Sequence, residues 1–324
     1  MSKTAVVIPN YNGIKFLADC LNSLKEQSVH DFEVIVVDDC STDTSINEIE
    51  CNFSRVQCVK RIENGGFAAA VNDGIRCAKE NGAEYIILLN NDTVAETHFV
   101  EKMVEAISED VNIFSVQAKM LSLKEPDLID DAGDFYTVMG WAYAAGKGKM
   151  ASKYDKKRQI FAACAGAAIY RMSVLEEIGY FDETHFAYLE DIDIGYRAKL
   201  YGYVNMYQPE AVIYHAGSAT SGSRYNAFKI RLAARNSVYL IYKNQTLLQI
   251  IWHFMPLLAG FVVKQLFFIL KGYGKVYHKA VLEGLKGCSH PDMKEKKLGL
   301  MKGHFMDACK VEWQLWINIL RKIM

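Results

Sequence analysis

Tyr85-Ile86-Ile87-Leu88-Leu89-Asn90-Asn91-Asp92 is an apolar run that ends abruptly in two amides and a carboxylate. Five apolar residues in a row fit a strand buried on both faces of a parallel sheet, and open α/β sheets take their ligands just beyond the carboxyl ends of such strands. Asp92 therefore falls where a ligand falls. A carboxylate there can hold a hard cation, Mg2+ or Mn2+, that neutralises substrate phosphates. Equally, Asn90 to Thr93 can cap the following helix through Asp92 or Thr93. The run alone leaves both readings open.

Working outward, strand and helix signals alternate through the first half: Ala5 to Ile8 then Ile14 to Glu26, Phe32 to Val37 then Thr44 to Glu50, Val56 to Arg61 then Phe67 to Glu80, and Tyr85 to Leu89 then Glu96 to Ser108. This is a parallel, doubly wound α/β pattern. The strands end in polar loops, Asn10-Tyr11-Asn12-Gly13, Asp38-Asp39-Cys40-Ser41, Glu63-Asn64-Gly65-Gly66 and Asn90-Asn91-Asp92, which gather on one sheet edge as a nucleotide site requires. From a strand end, Asp38 and Asp39 can accept the imide proton of uracil or thymine, or simply cap. Gly65 and Gly66 open a helix whose amides suit a pyrophosphate. Asn72-Asp73-Gly74, a poor choice inside that helix, points to a positional constraint.

Lys119 to Arg158 has mixed signals and reads as a mobile loop region lining an acceptor groove. Strand patterns resume at Phe161 to Tyr170 and Val204 to Met206, with a helix near Asp193 to Tyr201. The acidic cluster Glu190-Asp191-Ile192-Asp193 sits at the start of that helix. Asp193 can pair with Arg197 at i, i+4. Glu190 and Asp191 face the ligand edge, where neighbouring carboxylates raise one another's pKa and suit one to take a proton from a hydroxyl; favourable acids in a first helical turn are the alternative. His215, after the strand-like Ala211 to Tyr214, is either structural or a further ligand beside Asp92.

The 324 residues suffice for one large domain or two; 51% hydrophobic and 23% charged residues with a net charge of -1 exclude a disordered chain. Eight scattered cysteines form neither a zinc pattern nor a disulfide framework. Together with a start that leaves no room for a leader, this predicts a cytoplasmic location. From Lys264 to Met324 there are 12 Lys plus Arg against 5 Asp plus Glu, a balance of +7, leaving 25 against 33, or -8, elsewhere. Residues 246 to 270 are long enough to span a bilayer but are interrupted by Gln249, His253, Pro256, Lys264 and Gln265. A helical hairpin in the membrane interface fits better, and a helical subdomain packed on the body or a second subunit is the alternative. Nucleic acid is not an expected partner, because the tail's aromatic residues lie in apolar runs rather than among its lysines.

The ordered set Val7-Ile8-Pro9-Asn10-Tyr11-Asn12, Val36-Val37-Asp38-Asp39, Asn64-Gly65-Gly66-Phe67, Leu89-Asn90-Asn91-Asp92, Gly179-Tyr180-Phe181-Asp182-Glu183 and Glu190-Asp191-Ile192-Asp193 resembles the family 2 glycosyltransferases, most nearly their rhamnosyltransferase-like branch in cell-surface polysaccharide assembly. The resemblance, which covers about residues 4 to 240, implies a Rossmann-like GT-A fold over residues 1–225; the helical, apolar pattern after that reads as a C-terminal region, 226–324, for membrane association or oligomerisation. It implies an inverting transfer of rhamnose or another hexose from a dTDP- or UDP-sugar to a saccharide or lipid-linked saccharide at the inner face of the cell membrane. Pro9, Asn12, Asp38 and Asp39 would contact base and ribose, and Asn64, Gly65, Gly66, Asn72 and Asn91 would lie along the donor. Asp92 and His215 would hold Mg2+ or Mn2+. Asp191 would be the general base, oriented by Glu190, and Trp141 and Tyr143 would stack on the acceptor. Two positions depart from the family pattern: Asn90 replaces the first Asp of the Asp-x-Asp motif, and Val71 stands where relatives carry a polar or arginine side chain. A catalytically silent carbohydrate binder is disfavoured by the intact Glu190-Asp191. A nucleotidyltransferase is disfavoured because Pro9-Asn10-Tyr11-Asn12 lacks a glycine-rich basic loop.

Overall fold

The computed structural model describes residues 3–217, 225–299 and 303–323. Its first half alternates β1 (Thr4–Asn10), α1 (Leu17–Lys25), β2 (Glu33–Asp38), α2 (Ser45–Asn52), β3 (Gln57–Lys60), α3 (Gly66–Glu80) and β4 (Tyr85–Leu89). These four strands are parallel, in the order β3, β2, β1, β4. Period-two alternation explains the apolar runs: Ile86 and Leu88 of β4 enter the core under α3, while Ile87 and Leu89 enter the opposite core under α1.

Beyond β4 the order of elements is β5 (Thr93–Ala95), α4 (Phe99–Ser108), β6 (Ile113–Ser122), β7 (Ile129–Asp131), β8 (Asp134–Tyr136), β9 (Ala142–Ala144), β10 (Arg158–Ile160), β11 (Ala167–Arg171), α5 (Met172–Ile178), α6 (Glu190–Leu200) and β12 (Val204–His215). The sheet continues from β4 through β11, β6 and β12 to β10. It turns mixed there, since β11 runs antiparallel to both β4 and β6.

Three expectations need correction. Lys119 to Arg158 is ordered: it completes β6, adds β7 and folds β8 onto β9 as a hairpin. The strand expected at Phe161 to Tyr170 forms only from Ala167, as β11, because Cys164, Ala165 and Gly166 line a cavity; the preceding strand, β10, ends at Ile160. Finally, Asp92 and Thr93 do not cap a helix, since β5 intervenes before α4 begins at Phe99. The awkward Asn72-Asp73-Gly74 also has its reason. A Cβ on Gly74 would lie 2.3 Å from a Val7 methyl, so only glycine lets α3 approach β1 this closely.

The C-terminal part is helical: α7 (Ala227–Asn244), α8 (Leu247–Trp252), α9 (Phe254–Leu270), α10 (Gly274–Gly287), α11 (Pro291–Glu295) and α12 (Phe305–Ile323). The apolar run from 246 to 270 breaks at the buried His253, which meets Gln245 at 3.1 Å and Glu312 at 2.6 Å. Among the described residues no helix is long and apolar enough to cross a membrane. Helices α8 and α9 nonetheless leave Leu248, Trp252, Met255 and Leu270 largely exposed.

Candidate active site

A chamber of about 1300 Å3 opens at the carboxyl ends of β1, β2 and β4. Its walls include Pro9, Asp39, Asn64, Gly66, Asn91, Asp92, Glu190, Asp191 and His215, nine of the thirteen residues expected at the site. Asn12, Asp38, Gly65 and Asn72 lie outside the wall and fasten its loops. Asn12 Oδ1 accepts from the amides of Thr42 and Asp43 at 2.8 and 3.2 Å. Asp38 accepts from Asn10 Nδ2 and the Ser41 amide at 2.9 and 3.0 Å, and Asn91 Nδ2 completes the chain to Asn10 Oδ1 at 2.8 Å. Asn72 ties α3 to Phe181 and Glu183. The Gly65 and Gly66 amides donate to the two oxygens of Asp39 at 2.9 and 2.8 Å, so they fix that carboxylate.

At the end of β4 the antiparallel pairing of β5 with β12 sets His215 opposite Thr93, and the Ala216 amide donates to the Asp92 carbonyl at 2.9 Å. His215 Nε2 thereby comes to 3.2 Å from Asp92 Oδ1, while its Nδ1 meets Asp130 at 2.8 Å and Lys147 holds the other Asp130 oxygen at 2.7 Å. Burial opposes charging the imidazole, but the two carboxylates win and hold its pKa at about 9. Burial likewise opposes ionising Asp130, whose pKa His215 and Lys147 nevertheless draw down to about 2. A carboxylate and an imidazole converging from one side, with the far imidazole nitrogen fixed by a second carboxylate, suit a divalent cation.

The opposite wall is the start of α6. Asp191 accepts from the Ile192 amide at 2.7 Å; burial, with the charge of Asp131 adding to it, raises its pKa to about 6. Burial and the Asp191 charge push Glu190 well above the usual carboxylate range, and its Oε2 has no hydrogen-bond partner among the described residues. Asp193 turns away from the chamber. It pairs with Arg197 at 3.1 Å, as its i, i+4 spacing predicts, and with Lys243 at 3.0 Å. Asp182, His185 and Asp193 are close enough to hold a metal, but the Lys243 ammonium already stands between Asp182 and Asp193.

The loop that delivers α6 is strained. Phe186 (φ 62°, ψ -62°) centres a γ-turn closed by a 2.7 Å bond from the Ala187 amide to the His185 carbonyl, and Tyr188 and Leu189 have φ of 71° and 70°. Asn236 on α7 holds this loop, donating through Nδ2 to the carbonyls of His185, Ala187 and Tyr188 at 2.9, 2.9 and 2.8 Å. Asp130, Asp134, Lys147 and Asn236 escaped the sequence reading. The three closely spaced acids in Ile129-Asp130-Asp131-Ala132-Gly133-Asp134 were the available signal for the first two. Trp141 does not line the chamber; its indole donates to the Gly260 carbonyl at 3.1 Å, so it packs on α9 rather than on a ligand. Tyr143 reaches the wall, but its hydroxyl is held by the Asn318 carbonyl.

A mixed α/β sheet with loops converging on acidic residues at its edge defines a class of nucleotide-sugar-type folds, and the comparisons specify which. The model of the family described as "Glycosyl transferase family 2" matches residues 5–179, more than half of the chain, and the chain belongs to that family. Among curated relatives, the glycosyltransferase GlyG of Streptococcus pneumoniae is 35% identical over 109 residues, 32% of this chain and 35% of that protein. The poly(ribitol-phosphate) beta-glucosyltransferase of Bacillus spizizenii is 38% identical over 96 residues, 28% of this chain and 15% of that protein. The chain thus spans a minor part of the length of these relatives. In three dimensions it is similar to GalNAc-T7 with UDP, GalNAc and Mn2+ (TM-score 0.59, 15% identity, 74% of this chain and 47% of that one). It is also similar to Staphylococcus aureus TarS 1-349 with UDP-GlcNAc (TM-score 0.53, 20% identity, 75% and 68%). The fold is of the GT-A glycosyltransferase type.

Proposed function

We propose that the chain transfers a hexose, rhamnose or another, with inversion from a dTDP- or UDP-sugar to a hydroxyl of a saccharide or lipid-linked saccharide in surface polysaccharide assembly. The observation that carries this reading is the placement of Asp191 in the same chamber as the Asp92–His215 pair. The relatives' names and the UDP-sugar and Mn2+ in the structural neighbours support it.

Asp191 takes the acceptor hydroxyl's proton as that oxygen attacks the anomeric carbon, and the bond from that carbon to the diphosphate oxygen breaks. Burial keeps the Asp191 pKa near the working pH, where a base is most effective. Asp92 and His215 would hold Mg2+ or Mn2+, which would supply positive charge to the departing diphosphate. Asp130 orients His215, and Lys147 lies within reach of the same charge. Asn90 leaves the Asp92 side one carboxylate short of the family motif; Asp130, neutralised by Lys147 and His215, does not restore it.

Peripheral attachment through residues 226–324 completes the proposal. The exposed apolar residues of α8 and α9 run into the exposed Lys271, Lys275 and Lys279, as anchoring in an anionic interface requires. The test is release of nucleoside diphosphate from a panel of dTDP-, UDP- and GDP-sugars with and without Mn2+. Asp191→Asn should lower turnover by roughly 100-fold or more, and turnover that ignores this change removes Asp191 from the mechanism.

A further inference from the structure

Asp134 is a carboxyl group set in the chamber wall beside Asp131 and Cys164, the three offering atoms within 4.8 Å of one another. It is 9% exposed, it lines the chamber, and no side chain or amide among the described residues donates to its carboxylate. Its neighbour Asp131, by contrast, accepts from Gln117 Nε2 and the Gly133 amide, both at 2.8 Å. Main-chain bonds to both sides of Ala162 and the pairing of β8 with β9 hold Asp134 in place. Its register partner is Ala144, and Ala142 lies two residues away on the same face, so small side chains keep the space beside its carboxyl group open. Cys164, Ala165 and Gly166 continue this low floor. Across it stand Asp191 and Glu190, the latter with its own unpartnered buried oxygen.

A buried polar atom without a partner, such as Glu190 Oε2, costs stability, and proteins keep such groups mainly where a ligand completes them. A floor of alanine, cysteine and glycine flanked by carboxyl groups suits the flat, hydroxyl-bearing face of a pyranose. We propose that Asp134 and Asp191 together form the acceptor subsite, and that it takes a pyranoside carrying a hydroxyl next to the one that reacts. Asp191 meets the reacting hydroxyl and Asp134 hydrogen-bonds its neighbour. Burial, with the charges of Asp131 and Asp191, raises the Asp134 pKa well above the usual carboxylate range and so favours the protonated form, which offers both an O–H donor and a carbonyl acceptor. This inference rests on the transferase reading above, which assigns Asp191 but neither Asp134 nor the shape of the acceptor.

The experiment uses the full chain loaded with UDP and Mn2+, p-nitrophenyl pyranosides as acceptor probes, and their analogues lacking the adjacent hydroxyl. The wild type should bind at least one pyranoside. Asp134→Leu should weaken that binding by roughly tenfold or more, with Asp134→Asn restoring most of it. Deletion of the adjacent hydroxyl from the probe should have little further effect in the Leu variant. Affinity for UDP with Mn2+ should stay the same, and the melting temperature should hold or rise, since one of two neighbouring buried carboxyl groups has been removed. A structural Asp134 would instead lower the melting temperature. Failure of every pyranoside to bind the UDP-loaded protein, or equal binding by wild type and Asp134→Leu, would overturn the subsite. Failure of the wild type to bind UDP or dTDP at all would overturn the transferase reading instead.

Discussion

Replacing Asn236 by Ala removes the side chain that holds the loop leading into α6, on which the proposed base Asp191 stands. Its two amide hydrogens serve three carbonyls, so one is shared, and together they contribute about 2 kcal/mol net. Against this stand a γ-turn at Phe186 and left-handed conformations at Tyr188 and Leu189, each costing on the order of 1 kcal/mol or more. The two sums are comparable, so losing Asn236 lets the loop relax. Leu189 directly precedes Glu190 and Asp191, and a displacement of about 1 Å at a reacting group can cost on the order of 100-fold in rate. Asn236→Ala should therefore lower kcat for nucleoside diphosphate release by roughly 10- to 100-fold. UDP affinity should change little, because Asp39 and its two glycine amides do not depend on Asn236. Asn236→Asp, which turns donors into acceptors facing carbonyls, should be no better. Initial-rate kinetics beside titration calorimetry with UDP and Mn2+ measures the split. A kcat near the wild-type value despite a lowered melting temperature would show that Asn236 only stabilises the fold.

Lys243→Met removes the ammonium shared by two buried carboxylates, leaving Asp193 to Arg197 and Asp182 to Lys296, and should cost about 2–3 kcal/mol, lowering the melting temperature by on the order of 5 °C in scanning calorimetry. The same network sets an acid limit. Although burial raises both groups, Lys243 draws Asp193 down to about 2 and Asp182 further, so their contribution is present above about pH 4 and is lost as pH falls toward 2; Lys243→Met should show a shallower loss over that window. In a rate–pH profile, activity should rise through about pH 6 as Asp191 loses its proton, and a flat profile from pH 5 to 8 would contradict its role as base. Deleting residues 246–324 should abolish binding to anionic vesicles of phosphatidylglycerol, measured by co-sedimentation.

The parallel half of the sheet was legible because strands buried on both faces leave uninterrupted apolar runs, as Tyr85 to Leu89 does. The Asp92–His215 pairing was legible in kind, since each residue closes an apolar strand, but the β5–β12 pairing that unites them spans about 120 residues of chain and leaves no local trace. The middle of the chain hid its structure for a related reason. β7, β8 and β9 are three residues each, too short for periodicity to declare itself, and they carry acids at positions buried by the fold. Asn236 was invisible because a single amide within a helix says nothing of three carbonyls about fifty residues earlier in the chain. The Val71 position illustrates the converse. Its departure from the family pattern was plain in the sequence, and its side chain is wholly buried in the core rather than facing the chamber.

The central claim is that Asp191 and the Asp92–His215 pair act on one nucleotide sugar from two sides of the same chamber. Its most direct measurement is a comparison of wild type, Asp191→Asn and Asp92→Ala for Mn2+-dependent UDP affinity and for turnover of the nucleotide sugar that the panel identifies. The account predicts that Asp191→Asn keeps UDP affinity and loses turnover, whereas Asp92→Ala loses both the Mn2+-dependent part of the affinity and turnover. Normal turnover in Asp191→Asn, or UDP binding equally responsive to Mn2+ with and without Asp92, would contradict it.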